Sequence, residues 1–137
     1  MESNEWTPAG FPSVVPTLRA ESAGRLLDFL KTVFDAVVQH CDTDAQGRVR
    51  HAEVRIGQGI VEVSDANESW PAHESALHVF VPDTDACYRR ALEAGASPLY
   101  EPADMPYGER SGGGRDPFGN SWYIATFQRG AGRGYYD

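Results

Sequence analysis

Hydrophobic and polar positions change their period along this chain, and the same order of changes occurs twice. Ser13 to Arg19 (Ser-Val-Val-Pro-Thr-Leu-Arg) reads as a strand. Ser22 then suits a helix N-cap, and Ala23, Leu26, Leu27, Leu30, Val33 and Phe34 recur with helical spacing on one face. Past the turn Asp44-Ala45-Gln46-Gly47, His51, Glu53 and Arg55 alternate against Ala52, Val54 and Ile56, predicting a strand from Arg50 to Gly57. A second strand, Gly59 to Asp65, follows the short Gly57-Gln58-Gly59 connection.

The second half repeats this order. Ser75 to Val81 reads as a strand, and Asp83 caps a helix carrying Cys87, Tyr88, Ala91 and Leu92 that stops at Gly95. Ser97 to Tyr100 is extended, a polar glycine-rich stretch follows, and the last strand runs from Ser121 to Phe127. Sliding the first half by 61 positions sets Ser22 on Asp83, Val15 on Ala76, Glu62 on Tyr123 and Phe34 on Gly95. The economical parse is two strand-helix-strand-strand-strand modules, about 13–65 and 75–128, joined by a polar linker over 66–74. The glycine-rich tail, 129–137, is expected to be flexible.

Composition narrows the function classes. A formal charge of −8 argues against nucleic acid, whose phosphates call for clustered Lys and Arg; it serves solubility and can attract a cationic ligand. No apolar run is long enough to span a membrane, and Met1 to Glu5 is acidic where a secretion signal would be basic, so a cytoplasmic protein is expected. Cys41 and Cys87 share no close spacing; neither a disulfide framework nor a zinc site is indicated, and both read as small core residues. Ser111-Gly112-Gly113-Gly114-Arg115 lacks the lysine and the following helix of a phosphate loop. Those glycines read as a bulged strand or a close backbone approach to a ligand, and Asp116-Pro117-Phe118-Gly119 as a turn.

The tandem repeat, the string His51-Ala-Glu-Val-Arg-Ile-Gly57 and the string Tyr107-Gly-Glu-Arg-Ser-Gly-Gly-Gly-Arg-Asp-Pro-Phe-Gly-Asn-Ser-Trp122 resemble the vicinal-oxygen-chelate superfamily of glyoxalases, bleomycin-resistance proteins and extradiol dioxygenases. Within it they resemble a glyoxalase-like branch labelled after a phosphonate-operon protein, over roughly residues 12–128. The resemblance implies an α+β fold of tandem βαβββ modules, with cupped mixed sheets and helices on their convex sides. It places metal ligands on the first and last strands of each module, which here are Val15, Glu62, Ala76 and Tyr123. Valine and alanine have no donor atom and a neutral tyrosine is a poor ligand, so no metal or other cofactor is expected. The dioxygenase branch would need histidine at Ala76 and glutamate at Tyr123. Metal-free binding members, which sequester a ligand in the cup and often pair two protomers around it, become the nearest analogues; a homodimer is the expectation.

Strand alternation predicts the lining of that cup. Arg19, His51, Glu53, Arg55, Glu62, His78, Phe80 and Tyr123 share the polar or aromatic faces, and Phe118 stands at the tip of its turn as a further candidate. Val61, Val63, Leu77, Val79, Val81, Trp122 and Ile124 make the opposite, apolar faces. The mixture suits a small molecule, aromatic or cationic. Drug sequestration or self-resistance is one use; the alternative is a lyase or isomerase with Glu62 as base and His78 or Tyr123 as acid. A divalent ion held by Glu62, His78 and His51 is a variant of that alternative. Structural roles stand beside these: Glu62 as partner of Arg55 or Arg19, His78 as a hydrogen-bonded structural histidine, Tyr123 in the core. His40 and His73 fall in expected loops.

Overall fold

The twofold order seen in the sequence becomes two four-stranded sheets in a computed structural model that describes residues 5–130. The first module holds β1 (Thr17–Ala20), α1 (Ala23–Phe34), β2 (Val37–Thr43), β3 (Val49–Ile56) and β4 (Gly59–Asp65). The second holds β5 (Ala76–Phe80), α2 (Thr84–Glu93), β6 (Ser97–Met105), β7 (Glu109–Arg115) and β8 (Ser121–Phe127). The sheets run β1-β4-β3-β2 and β5-β8-β7-β6, with β1–β4 and β5–β8 parallel and the other pairs antiparallel. This is the expected α+β arrangement of βαβββ modules. Of the tail, Arg129 and Gly130 are described; the rest of it, and Met1 to Asn4, lie outside the described residues.

One capping device recurs at the 61-residue offset. The amide of Ala23, at the start of α1, donates to Asp65 Oδ1 at 2.9 Å, and the amide of Thr84, at the start of α2, donates to Thr126 Oγ1 at 3.0 Å. The end of the last strand thus satisfies one of the free amides of its module's helix. In the first module this displaces the expected cap: Ser22 sits at the N-cap, but its side chain makes no cap bond. In the second, Asp83 caps as expected, accepting from the Ala86 amide at 3.1 Å. Helix α2 ends before Gly95, whose φ of +106° suits glycine, while α1 ends on Asp35 at φ 54°.

Leu26, Leu27, Leu30 and Val33 of α1 bury the apolar stripe read from the sequence against Leu18, Ala52, Val54 and Val63. Trp122, Ile124, Cys87 and Ala91 belong to the same continuous core. The modules meet helix to helix. The Phe34 and Trp122 rings lie 4.7 Å apart, and the Val33 carbonyl, near the end of α1, accepts from the Arg90 guanidinium at 3.0 Å and from the Cys87 thiol at 3.4 Å. Burial pushes that thiol up to about 11, which suits the inert core cysteine expected there.

Several elements differ from the sequence reading. Strand β1 begins at Thr17, not Ser13; Pro16 before it has no N–H to give, though its carbonyl accepts from the Glu62 amide at 2.8 Å. Strand β2 lies on a sheet edge, mostly exposed and irregular between Val38 and His40, so it carries little alternation to read. His40 lies on this strand rather than in a loop, and Cys41 is exposed on it, which corrects the core placement. Strand β6 continues to Met105 through Pro98 and Pro102, as an edge strand allows. The polar glycine run is strand β7, inside the sheet. A Cβ on Gly113 would stand 2.3 Å from the Tyr100 ring, and one on Gly112 3.0 Å from Pro102, so the close approach comes from neighbouring side chains of β6. The turn after β7 closes on Asp116, which accepts from the amides of Phe118 and Asn120, from the Asn120 side chain and from the Trp122 indole, all at 2.8–3.0 Å.

Candidate functional site

Each sheet buries one face under its helix and leaves the other open, and the predicted site residues fall mainly on the open faces. On the first sheet the parallel register sets Thr17 beside Glu62 and Arg19 beside Ser64. The Thr17 hydroxyl donates to Glu62 Oε1 at 3.2 Å, Arg19 donates to Ser64 Oγ at 3.0 Å, and His51 Nε2 meets Glu53 Oε2 at 3.2 Å. Neither arginine pairs with Glu62, contrary to the structural alternative read from the sequence. Arg19 lies over the exposed Trp70 ring at 5.6 Å, and Arg55 donates to the Gly10 carbonyl at 3.1 Å. The polar groups of this face are largely spent on one another.

The second sheet presents aromatic rings around a buried carboxylate. His78 stands beside Tyr123 and Phe80 beside Ala125. Phe80 is 53% exposed and Tyr123 36%. The His78 and Phe80 rings pack at 4.7 Å. His78 Nε2 reaches across β8 to Glu109 Oε2 on β7, 3.2 Å away. The small Ala125, midway between Tyr123 and Phe127, leaves room for that reach. Glu109 is 1% exposed, and its other oxygen, Oε1, has no hydrogen-bond partner among the described residues. An unpartnered buried carboxylate oxygen is costly, which makes Glu109 the least explained polar group in the fold. Beside it the Ser111 and Tyr100 hydroxyls pair at 2.7 Å.

Two cavities meet at His78. One of about 650 Å³ runs from the β3–β4 turn (Ile56, Gly57, Gln58, Gly59) along His78, Phe80 and Val81 to Phe127. A smaller one of about 190 Å³ is lined by Pro12, Val14, Pro16, Ile60, Leu77 and Trp122 as well as His78. Phe118 does not join them. It lies in a separate groove of about 310 Å³ with Phe29 and Thr32 of α1, under the Arg25 guanidinium at 5.8 Å.

The sequence reading missed Glu109 because it read a bulged strand only at the glycines that follow and assigned nothing to position 109. Its signal was present in the repeat: sliding β3 by 61 positions lands on Arg110–Pro117, overlapping β7. Arg110, on the other face, clamps Asp85 at 2.5 and 2.9 Å and Asp104 at 3.2 Å. The Arg110 guanidinium holds the Asp85 carboxyl below the usual range, and the Gln128 amide together with Arg110 does the same for Asp104.

The residues present do not fit the metal of the resembling enzymes. Val15 precedes β1, Ala76 opens β5, and neither has a donor atom. Among the described residues no three His, Cys, Asp or Glu side chains converge on a metal position.

Known proteins resemble this chain in sequence and in fold. An uncharacterized protein of Mycobacterium bovis is 31% identical over 124 residues, covering 82% of each chain. The crystal structure of TioX from Micromonospora sp. ML1 superposes with a TM-score of 0.72 at 28% identity, covering 85% of this chain and 98% of that one. A Bacillus cereus PhnB protein shares the fold, with a TM-score of 0.65 at 16% identity over 84% of this chain and 99% of that one. Residues 12–124 match the family profile described as glyoxalase, bleomycin resistance protein and dioxygenase. With the repeat, the sheet order and this match in agreement, the chain belongs to the glyoxalase/bleomycin resistance protein/dioxygenase superfamily.

Proposed function

We propose that this protein binds a small aromatic molecule, without a metal, in the cavity along β5. The observation that carries the reading is that cavity: about 650 Å³, in the range of small-molecule sites, with Phe80, Phe127 and His78 on its wall. Sequestration of a toxic compound or self-resistance is the use we assign to it. The chain acts as a homodimer in this reading, because the modules touch through their helices and leave both open sheet faces, with the exposed Phe80 and Val37, for a second protomer. The unpaired cysteines favour the reducing cytoplasm, and no helix among the described residues is long and apolar enough to cross a membrane. The two sequence strings and the fold shared with the PhnB protein support the phosphonate-operon-type branch.

The test is a thermal-shift screen of an aromatic compound library against the wild type and a Phe80→Ser/Tyr123→Ser variant. Compounds that raise the melting temperature of the wild type and leave the variant unmoved are expected. Compounds that stabilise both equally would place the site elsewhere.

A second reading, acid–base catalysis by a lyase or isomerase, is favoured by one arrangement: a histidine at a cavity with a buried carboxylate behind it. Glu62, bonded to Thr17, is the candidate base and Tyr123 or His78 the acid. Glu62→Gln separates the readings, since a binding protein keeps its affinity within severalfold and an acid–base enzyme loses orders of magnitude in turnover.

A further inference from the structure

We infer that Glu109 positions His78 as a hydrogen-bond acceptor at the cavity, so that the ligand is an aromatic compound carrying an O–H or N–H donor, such as a phenol. The inference rests on the cavity reading above and adds the chemistry of the ligand. In the pairing we infer, Glu109 Oε2 accepts and His78 Nε2 carries the hydrogen across their 3.2 Å contact. A neutral ring with hydrogen on Nε2 presents a bare lone pair at Nδ1. Among the described residues Glu109 is the only hydrogen-bonded partner of His78, and the half-exposed ring borders both cavities. Phe80 packs on the same imidazole and Tyr123 stands beside it in register, so a flat apolar body set against them brings its polar edge to Nδ1.

The buried carboxylate also selects against alternatives. Among the described residues Glu109 Oε1 is unpartnered and no arginine or lysine is bonded to this pair, so nothing there offers a ligand carboxylate a cationic partner. An ether or a hydrocarbon would leave Nδ1 without a donor once water is displaced, and a hydroxyl or amine satisfies it. Packing alone gives no reason for a carboxylate at position 109: its neighbours across the ladder are Met105 and Phe127.

Two measurements test this on the full chain. Long-range ¹H–¹⁵N spectra of the histidine rings, with His78 assigned from His78→Phe, are expected to show hydrogen on Nε2 in the neutral imidazole, and Glu109→Gln to reduce that preference. Hydrogen on Nδ1 in the wild type overturns the inference. The second measurement is titration with 2-naphthol and with 2-methoxynaphthalene, which share a ring system and differ in the donor. 2-Naphthol is expected to bind about tenfold more tightly, as one hydrogen bond implies, and His78→Phe to bind both equally. Equal binding of the two by the wild type, with Tyr123 resonances moving, overturns the donor requirement and leaves the cavity reading standing. Binding of neither overturns both.

Discussion

Asp65 at the end of β4 and Thr126 near the end of β8 do the same work at matching places, each accepting the first amide of its module's helix. On the face away from those helices the modules diverge. Thr17, Glu62, Arg19 and Ser64 of the first sheet are bonded pairwise. The second sheet instead sets Phe80 and Tyr123 in the open beside a carboxylate whose Oε1 has no partner among the described residues. What repeats is what the fold needs to hold a helix on a sheet; what differs has no counterpart in the other module and needs another cause. A face whose polar groups satisfy one another is inert, and a face with unsatisfied groups and exposed rings is ready for a ligand.

The capping half of this comparison breaks most severely at Asp65. Asp65 Oδ2 also accepts the Val49 amide at 2.7 Å, so Asp65→Ala strands two backbone amides. A loss of about 2–4 kcal/mol is expected in urea unfolding. Thr126→Val removes a β8 hydroxyl that accepts the Thr84 amide and donates to the Val81 carbonyl, while α2 keeps its Asp83 cap and the Thr84 hydroxyl keeps its bond to the Arg110 carbonyl, and about 1–2 kcal/mol is expected. Equal losses would mean that the shared device does not carry the weight assigned to it in the first module.

Gly113→Ala sharpens the other half. The added methyl would overlap the Tyr100 ring and disturb its hydroxyl contact with Ser111, for an expected cost of about 1–3 kcal/mol by thermal denaturation. Tyr100→Phe in the same background should lower that penalty little, because the ring and not the hydroxyl causes it.

Arg110→Met gives the smallest effect. Asp85 and Asp104 have carboxyls lowered from the ordinary 3.8, so their ion pairs add stability above that pH and lose it as pH falls through the folded-state values. These groups are exposed and screened, so the difference between wild type and variant is small at neutral pH. It should close below pH 3.8, as followed by thermal melts across acid pH.

Much of the fold was legible in the sequence because it rests on local chemistry. The helical stripe of α1, the Asp83 cap and the alternation of β3 each follow from neighbours in the chain. The failures have a common cause in long-range partners. Ser22 lost its capping role to Asp65, distant in sequence, and β7 reaches back to Glu109, ahead of its glycines, because β6 and β8 flank it. Cys41 looked like a core residue by type and sits exposed on an edge strand. Of the candidate site, His78, Phe80 and Tyr123 were readable from alternation, and Glu109 was hidden in a polar stretch without hydrophobic alternation, just before the glycines read as a bulged strand. Phe118 was placed by its turn, and the turn faces the helix side.

The measurement closest to the central claim is ligand mapping by NMR on ¹⁵N,¹³C-labelled protein titrated with 2-naphthol. Shifts concentrated on Phe80, His78, Tyr123 and Phe127, with Glu62 and Thr17 unmoved, are the predicted result. Shifts confined to the Glu62 face or to the groove beside Phe118 would contradict the account.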